Sequence, residues 1–189
     1  RYLTLAANQN IIDAQFDLGM VYHTNKFMEP KINKAIHYLK LAADQNHKQA
    51  QEKLGLIYLN NEFDINKAIH YLNLASENGL IIAQNRIGFL YYEGKYVVRN
   101  VKKAIYYFTL AANQNDPTSQ NNLAMVYYDD NYYDTFDIQK AIHYFTLAAN
   151  QNNLNSINIL GNIYYEGKYI KRDIDKAIYY LTISANNDN

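Results

Sequence analysis

An internal repeat constrains the fold of this chain more than any other feature of its sequence. The triplet Lys-Ala-Ile recurs at spacings of 33, 36, 37 and 36 residues, beginning at Lys34, Lys67, Lys103, Lys140 and Lys176. A Leu-Ala-Ala-like triplet follows it at a fixed distance, and a Leu-Gly-like pair follows that triplet at another fixed distance. All variation in length therefore falls between Leu-Gly and Lys-Ala-Ile. Such a period is typical of stacked helical units, and the sequence predicts an array with a variable loop along one edge.

Each half of the repeat has the spacing of an amphipathic helix. In the first half, Ala14, Leu18 and Tyr22 stand at i, i+4 and i+8. In the second half, Ala35 and Leu39 belong to a stripe at i, i+3, i+4 and i+7 that has small residues at both ends. Small residues at the ends of such a stripe permit close packing of neighbouring helices. The pattern predicts an all-α chain built from antiparallel helix pairs.

Short polar residues and glycines mark the helix ends. Residues with good N-cap side chains precede the second helices at Asp64, Asn100, Asp137 and Asp173, whereas repeat 1 has Lys31 there. Residue types that tolerate a left-handed conformation follow the first helices at Asn25, Asn61, Gly94, Asp130 and Gly167. Similar residues separate the repeats at Asn10, Asn46, Gly79, Asn115 and Asn152. We expect one repeat domain over 1–189, with a lone second helix at 1–9 and five helix pairs at about 11–45, 47–78, 80–114, 116–151 and 153–187.

Charge and composition exclude several classes of function. The 18 basic and 18 acidic side chains cancel, so no overall field attracts nucleic acid. The absence of cysteine excludes disulfides, Cys-ligated zinc and thiol catalysis. No uninterrupted apolar run approaches the roughly 20 residues that a membrane-spanning helix needs. We therefore expect neither nucleic-acid binding nor membrane insertion.

The combined motif Ala-x3-Leu-Gly-x2-Tyr-x2-Gly, followed by Asp-x2-Lys-Ala-x2-Tyr-x3-Ala-Ala, resembles the Sel-1-like repeat, a relative of the tetratricopeptide repeat. The resemblance extends over nearly the whole chain. Repeat 2 departs through a shorter loop, and repeat 4 has Ala124 and Asp130 in place of glycines. The resemblance implies a right-handed α-solenoid whose first helices line a concave surface where extended peptides or partner loops bind. It also implies a scaffold or adaptor role.

No residue pattern predicts catalysis, a metal site or a cofactor site. Three of the five histidines, His37, His70 and His143, share one repeat position that tyrosine fills elsewhere, which favours a surface or packing role. The other two, His23 and His47, stand alone. Recurring carboxylates at Glu93, Asp129 and Glu166 are expected on a solvated rim, because neighbouring repeats lie roughly 10 Å apart. We expect no enzyme, no metal and no cofactor.

The outward face of the first helices contains the candidate binding residues. An asparagine stands two positions before the Leu-Gly-like pair in three successive repeats, and apolar or tyrosine residues follow it. These residues are Asn85, Asn121, Asn158, Phe89, Met125, Tyr92, Tyr128 and Tyr165. Amides pair with a peptide backbone, while rings and methionine accommodate side chains. The alternative is that the apolar residues pack between neighbouring first helices.

The function predicted from these observations is a non-catalytic scaffold that binds a peptide or partner protein on its concave surface. Two alternatives stay open: a hydrolase, as claimed for cysteine-rich bacterial relatives, and a regulatory segment of a larger enzyme. At both ends of the array, apolar helix faces have no polar capping unit. We therefore expect either that the natural chain continues or that these faces pair end to end between molecules.

Overall fold

The computed structural model of the protein describes residues 2–24, 31–60 and 64–187, and all regular structure in these ranges is α-helical. The helices are α1 (Tyr2–Asn8), α2 (Ile12–Thr24), α3 (Ile32–Ala43), α4 (Lys48–Asn60), α5 (Ile65–Glu77), α6 (Ile81–Glu93), α7 (Val101–Ala112), α8 (Pro117–Tyr128), α9 (Ile138–Ala149), α10 (Leu154–Glu166) and α11 (Ile174–Asn187). None of these helices is long and apolar enough to cross a membrane. The predicted all-α class is confirmed.

Consecutive helices form antiparallel pairs. In the first pair, Tyr22 near the end of α2 stacks on Tyr38 in α3, with ring centroids 5.8 Å apart. Gly19 permits this approach, because a Cβ atom at that position would lie 2.6 Å from Cγ of Leu39. Helices α4 and α5 pack in the same way, as do α8 and α9, and α10 and α11.

The N-caps of the second helices lie where the sequence predicts them. The side-chain oxygen of each cap accepts a hydrogen bond from the backbone N–H three residues later, at 3.0–3.1 Å. The capping residues are Asp64, Asn100, Asp137 and Asp173. Such a cap stabilises a helix by about 1 kcal/mol, because it pairs a backbone donor that the helix itself leaves unpaired. Lys31 makes no side-chain cap, as its residue type implies.

The left-handed positions are predicted correctly with one exception. The turns between repeats have φ values from 60° to 75° at Asn10, Asn46, Gly79, Asn115 and Asn152. Gly94 and Gly167 have φ values of 67° and 63°. The prediction for Asp130 is wrong: α8 ends on an extended Asp129, and the Asp130 carboxylate instead accepts hydrogen bonds from loop side chains. The predictions for Asn25 and Asn61 lie outside the described residues.

The chain forms two compact units, Arg1–Ile87 and Gly88–Asn189, each with its own hydrophobic core. The largest fully buried side chains of the first unit include Leu39, Leu54, Ile57, Leu72 and Ile87. Those of the second unit include Phe108, Leu123, Phe145, Ile157 and Leu160. Burying one such side chain contributes roughly 1.5–3 kcal/mol relative to leaving it exposed.

A lysine and two tyrosines form the same stack in every helix pair. In the fourth repeat, Lys140 lies 5.2 Å from the ring centroid of Tyr127, and that ring stacks on Tyr144. Lys140 also forms an ion pair with the N-cap carboxylate of Asp137. The stack explains why lysine recurs at the start of each Lys-Ala-Ile triplet, since its cation lies beside a tyrosine ring.

Candidate functional site

The first helices α8 and α10 meet through a buried hydrogen bond. The hydroxyl group of Ser156, at the start of α10, donates to Oδ1 of Asn121 over 2.8 Å. Local caps fix both helix starts: Asp116 accepts from the backbone N–H of Ser119 at 2.7 Å, and Asn153 accepts from that of Ser156 at 3.0 Å. The hydrogen bond between the helices and the two caps hold α8 and α10 side by side, so their outward faces are adjacent.

A cavity of about 400 Å³ opens between these two helices. Its lining residues are Asn121, Met125, Asn155, Asn158 and Ile159. The structure thus brings together three predicted site residues, one asparagine from each of two repeats and the methionine between them. No charged side chain lines the cavity. We refer to this cavity as the α8–α10 groove.

Asn121 does not have the exposed position that the sequence predicts. Its side chain lines the groove, but the residue is only 8% exposed, because Ser156 of the next repeat covers its carbonyl oxygen. Asn121 is therefore buried, although the sequence places it on the outward face of its helix. Removing a buried hydrogen-bonding partner costs stability, so Asn121 contributes to folding as well as to the groove.

Asn158 is exposed on the outward face, and its amide group is oriented by a hydrogen bond within its own helix. Nδ2 of Asn162 donates to Oδ1 of Asn158 over 3.0 Å, one helical turn away. Met125 is 42% exposed, although it is a large apolar side chain. The groove therefore offers solvent an apolar surface beside an oriented amide group.

The three predicted tyrosines lie against the connecting loops, outside the residues that line the groove. The guanidinium group of Arg99 lies 4.9 Å from the ring centroid of Tyr92, and that of Arg172 lies at the same distance from Tyr165. Tyr128 packs edge-on against Tyr169. These contacts fill the loop edge of the second unit, and a role in binding stays a prediction for all three rings.

Tyr92 and Asp129 form a short hydrogen bond at this edge. The Tyr92 hydroxyl group donates to Oδ2 of Asp129 over 2.6 Å. Burial and this hydrogen bond raise the pKa of Tyr92 to about 12. Burial alone would raise the pKa of Asp129 as well, but hydrogen bonds from Tyr92 and Asn131 lower it overall. Both shifts favour the forms that maintain the hydrogen bond, a protonated Tyr92 and an ionised Asp129.

The remaining predicted residues lie on α6. Phe89 is 39% exposed and packs edge-on against Phe108, with ring centroids 5.1 Å apart. Asn85 is half-buried and belongs to the first unit, Arg1–Ile87. Its place in a binding surface stays a prediction.

A smaller cavity of about 200 Å³ lies between α2 and α4 in the first unit. Met20 and Leu56 line it at the repeat position that Met125 occupies in α8, and His23 and Lys53 line it as well. Burial first, and then the Lys53 cation, lower the pKa of His23. The same helix face therefore forms a cavity in both units.

The histidines have structural contacts. His37, His70 and His143 each pack edge-on against the tyrosine that follows them. Nδ1 of His47 accepts a hydrogen bond from the backbone N–H of Ala50, and its ring stacks on Phe16. Within the described ranges, no group of three or more His, Cys, Asp or Glu side chains is placed to bind a metal ion.

Ser156 is the residue of this site that the sequence analysis missed. It stands four residues before Leu160, where Ala14 stands relative to Leu18 in the first repeat. Serine replaces this alanine only in the fourth and fifth repeats, as Ser119 and Ser156. A hydroxyl group at a buried alanine position needs an acceptor, and this departure from the repeat was the available signal.

A family model of the Sel1 repeat matches five consecutive segments of the chain, residues 12–47, 48–80, 81–116, 117–153 and 155–189. A search of curated proteins finds no match.

Similar solved structures agree with this match. A protective antigen of uropathogenic Escherichia coli with an SLR fold, c5321, is 26% identical with a TM-score of 0.86. The alignment covers 100% of this chain but 41% of the antigen, so the chain spans less than half of that protein. A Sel1 repeat protein from Oxalobacter formigenes is 28% identical with a TM-score of 0.76, over 98% of this chain and 77% of that one. These similarities confirm the predicted solenoid class.

Proposed function

Because the chain belongs to the Sel1 repeat family, we propose that it is a non-catalytic scaffold that binds an extended peptide or a partner protein on the concave surface of its first helices. The Sel1 repeat fold is a type of protein-interaction scaffold. The observation that carries the proposal for this chain is the α8–α10 groove, where exposed Met125 lies beside the amides of Asn121 and Asn158.

The chemistry of the groove suits a peptide. Its apolar members, Met125 and Ile159, gain from covering an apolar side chain, and methionine adapts its shape to different partners. Its amides supply hydrogen bonds that a backbone can use whatever its side chains are. Because the groove contains no charge, a neutral segment enters it without burying an unpaired ion.

The other predicted residues extend this surface in the proposal. Phe89 offers an exposed ring on α6, and Tyr165 is 54% exposed near the end of α10. Tyr92 and Tyr128 contribute the parts of their rings that the loops leave uncovered. Asn85, which belongs to the first unit, is proposed separately as a contact for a peptide backbone.

Photo-crosslinking tests the proposal directly. A benzophenone amino acid replaces Met125 in the groove, or Tyr133 in the loop after α8 as a matched control. Tyr133 is 92% exposed and lies outside the groove. In cells that make the protein, we expect a defined crosslinked protein from position 125 and none from position 133. Equal yields at the two positions, or none at 125, would contradict the proposal.

The proposed absence of catalysis has its own test. The hydrolase alternative rests on cysteine-rich relatives, and this chain has no cysteine. We expect purified protein not to turn over simple esters, peptides, glycosides or nucleotides. A turnover that disappears in His23→Ala or His47→Ala, with the fold intact, would show that the chain is an enzyme.

End-to-end self-association is proposed as a secondary property. Helix α11 exposes Ile174, Ile178 and Tyr179, and α1 exposes Tyr2 and Leu5. Covering such apolar faces is favourable in proportion to the area removed from water. Sedimentation over a range of concentrations should show association that Ile178→Glu weakens. A strict monomer throughout would reject the proposal.

A further inference from the structure

A cavity of about 460 Å³ lies at the loop edge of the second unit, and it shares no lining residue with the α8–α10 groove. Residues 99–102, at the end of one loop and the start of α7, form one wall of this cavity. Residues 131–135, in the loop after α8, form the other wall. Cavities of this size are typical of sites for small molecules. We refer to this one as the loop cavity.

Backbone hydrogen bonds hold both walls in place. On the first wall, the N–H of Asn100 donates to the carbonyl oxygen of Tyr91 at 2.8 Å. On the second wall, the carbonyl oxygen of Tyr132 accepts from the N–H groups of Thr135 at 2.9 Å and Phe136 at 2.8 Å. The chain itself therefore forms the cavity, and a ligand does not have to order its walls, which favours binding.

Arg99 is held in the loop cavity by aromatic rings and not by a carboxylate. Its guanidinium group lies 3.8 Å from the ring centroid of Tyr132 and 4.9 Å from that of Tyr92. In the described part of the chain Arg99 forms no ion pair, and its Nε is buried without a hydrogen-bond partner. A guanidinium group that stacks through its faces keeps the N–H groups at its edge available for an anion.

The cap of α7 does not supply the carboxylate that other second helices have at this position. Asp64, Asp137 and Asp173 each form an ion pair with the lysine three residues later. The cap of α7 is the neutral Asn100, so Lys103 has no cap carboxylate beside it. The start of a helix favours negative charge because its first backbone N–H groups are unpaired. The environment of this cavity is therefore more positive than that of its repeat equivalents.

The charges around the loop cavity indicate a ligand with a single negative charge. Arg99, Lys102 and Lys103 are the cations of this region. Asp134 lines the cavity, and Asp129 interacts electrostatically with Arg99. Three cations and two carboxylates leave one positive charge in excess. A carboxylate ligand balances this charge, whereas a phosphate monoester, at about −1.5 to −2, exceeds it.

The aromatic lining indicates what the rest of the ligand contains. Tyr133 lines the cavity but is 92% exposed, so nearly all of its ring is available for contact. Tyr132 beside it already packs on Arg99. An exposed ring gains from contact with a second ring, both through the area removed from water and through ring stacking. A planar aromatic group suits this lining.

We propose that the loop cavity binds a small aromatic carboxylate, which accepts hydrogen bonds from Arg99 and Lys102 while its ring lies against Tyr133. This is a second site, separate from the groove of the proposed function. Neither ligand requires the other, because the two sites have no lining residue in common.

Benzoate is the probe, and benzamide is its uncharged control of the same shape. The full chain is titrated with each compound, and the backbone amide signals are followed in two-dimensional NMR spectra. We expect saturable shifts with benzoate, concentrated in residues 99–102 and 131–135. Benzamide should bind at least about tenfold more weakly, because it has no charge to pair with the guanidinium group. Phenyl phosphate should bind more weakly than benzoate.

Protein variants test the two cations. Arg99→Lys keeps the charge but removes the planar fork, and should weaken benzoate binding by at least about tenfold. Lys102→Gln changes an exposed side chain and should weaken binding severalfold without affecting the fold. Arg172→Lys is the matched control: Arg172 occupies the same repeat position, but the cavity beside it contains the carboxylates of Asp173 and Asp175. This control should bind benzoate as wild type does, and melting temperatures verify the fold of each variant.

Each contrary result overturns a stated part of the proposal. Benzamide binding as tightly as benzoate, or phenyl phosphate binding more tightly, would overturn the carboxylate as the ligand group. Wild-type affinity in both Arg99→Lys and Lys102→Gln would overturn the site, and so would shifts that do not saturate. A peptide ending in phenylalanine that binds more tightly than benzoate would overturn the small acid in favour of the end of a partner chain. None of these results affects the proposal for the α8–α10 groove.

Discussion

Tyr92 and Asp129 connect two successive repeats of the second unit through a hydrogen bond of 2.6 Å. Tyr92 lies one residue before the end of α6, and Asp129 directly follows α8, so the bond links the loop ends of two successive first helices. Arg99 lies against the face of the same tyrosine and, at 3.8 Å, against Tyr132 of the later loop. This cluster packs two successive loops of the second unit against each other.

Tyr92→Phe should lower the free energy of unfolding by about 1 kcal/mol, because it removes a hydrogen bond to a charged acceptor that is partly exposed to solvent. Tyr165→Phe is the matched control: Tyr165 occupies the same repeat position beneath Arg172, but its hydroxyl group donates to no described residue. Chemical denaturation of both variants measures the difference. Equal losses would contradict a specific role for the Tyr92 hydroxyl group.

The same hydrogen bond predicts a dependence of stability on alkaline pH. The pKa of Tyr92 rises from 10.0 to about 12 in the folded protein, so its protonated form is favoured by folding. Its contribution is therefore complete below pH 10.0 and is lost as the pH rises towards 12. Tyr92→Phe should be less sensitive to this pH range than wild type in denaturation experiments. Identical pH profiles would show that the hydroxyl group does not couple to folding.

Gly94→Ala should destabilise the protein more than Gly79→Ala. Both glycines are left-handed, with φ values of 67° and 75°. A Cβ atom on Gly94 would lie 2.6 Å from Cβ of Arg99 and 3.0 Å from its Cα, whereas one on Gly79 meets nothing within 4 Å. We expect a loss of roughly 1 kcal/mol at Gly79 and at least about 1 kcal/mol more at Gly94. Similar melting temperatures for the two variants would contradict the close packing of the loop.

Asn121→Ala should destabilise the protein more than Asn158→Ala, although the two asparagines occupy the same repeat position. Asn121 is buried and pairs with the buried Ser156 hydroxyl group, so its removal should cost about 1–3 kcal/mol. Asn158 is exposed, and its removal should change stability by less than about 0.5 kcal/mol. Thermal unfolding of both variants measures this difference. Equal stability losses would mean that the two amides have equivalent environments.

The repeat pattern predicts local structure well, because helix ends depend on residues within one turn. The caps at Asp64, Asn100, Asp137 and Asp173 and the left-handed turns at Asn10 and Asn46 follow from residue type alone. Asp130 is the exception, because its carboxylate accepts hydrogen bonds from the side chains of Lys168 and Tyr169 in the next loop. Contacts across repeats are not encoded in the spacing of one helix.

At the α8–α10 groove too, the contacts between repeats could not be predicted from the pattern of one helix. Periodicity places Asn121 and Asn158 on the same face of their helices, and in the structure both line one cavity with Met125. The burial of Asn121 depends on how far α10 is shifted along α8, which a single-helix pattern does not specify. The departure from alanine at Ser156 indicated a buried polar contact, but its partner required the packed structure.

The affinity of a partner for Met125→Arg tests the central claim most directly. The partner is the protein that crosslinks at position 125, and calorimetry compares it with wild type, Met125→Arg and the control Tyr133→Arg. Because both side chains are exposed, at 42% and 92%, neither change should alter the melting temperature appreciably. The account predicts that Met125→Arg weakens binding at least about tenfold, since a charged side chain then fills the groove, while Tyr133→Arg binds as wild type does. Wild-type affinity for Met125→Arg would contradict a binding groove between α8 and α10.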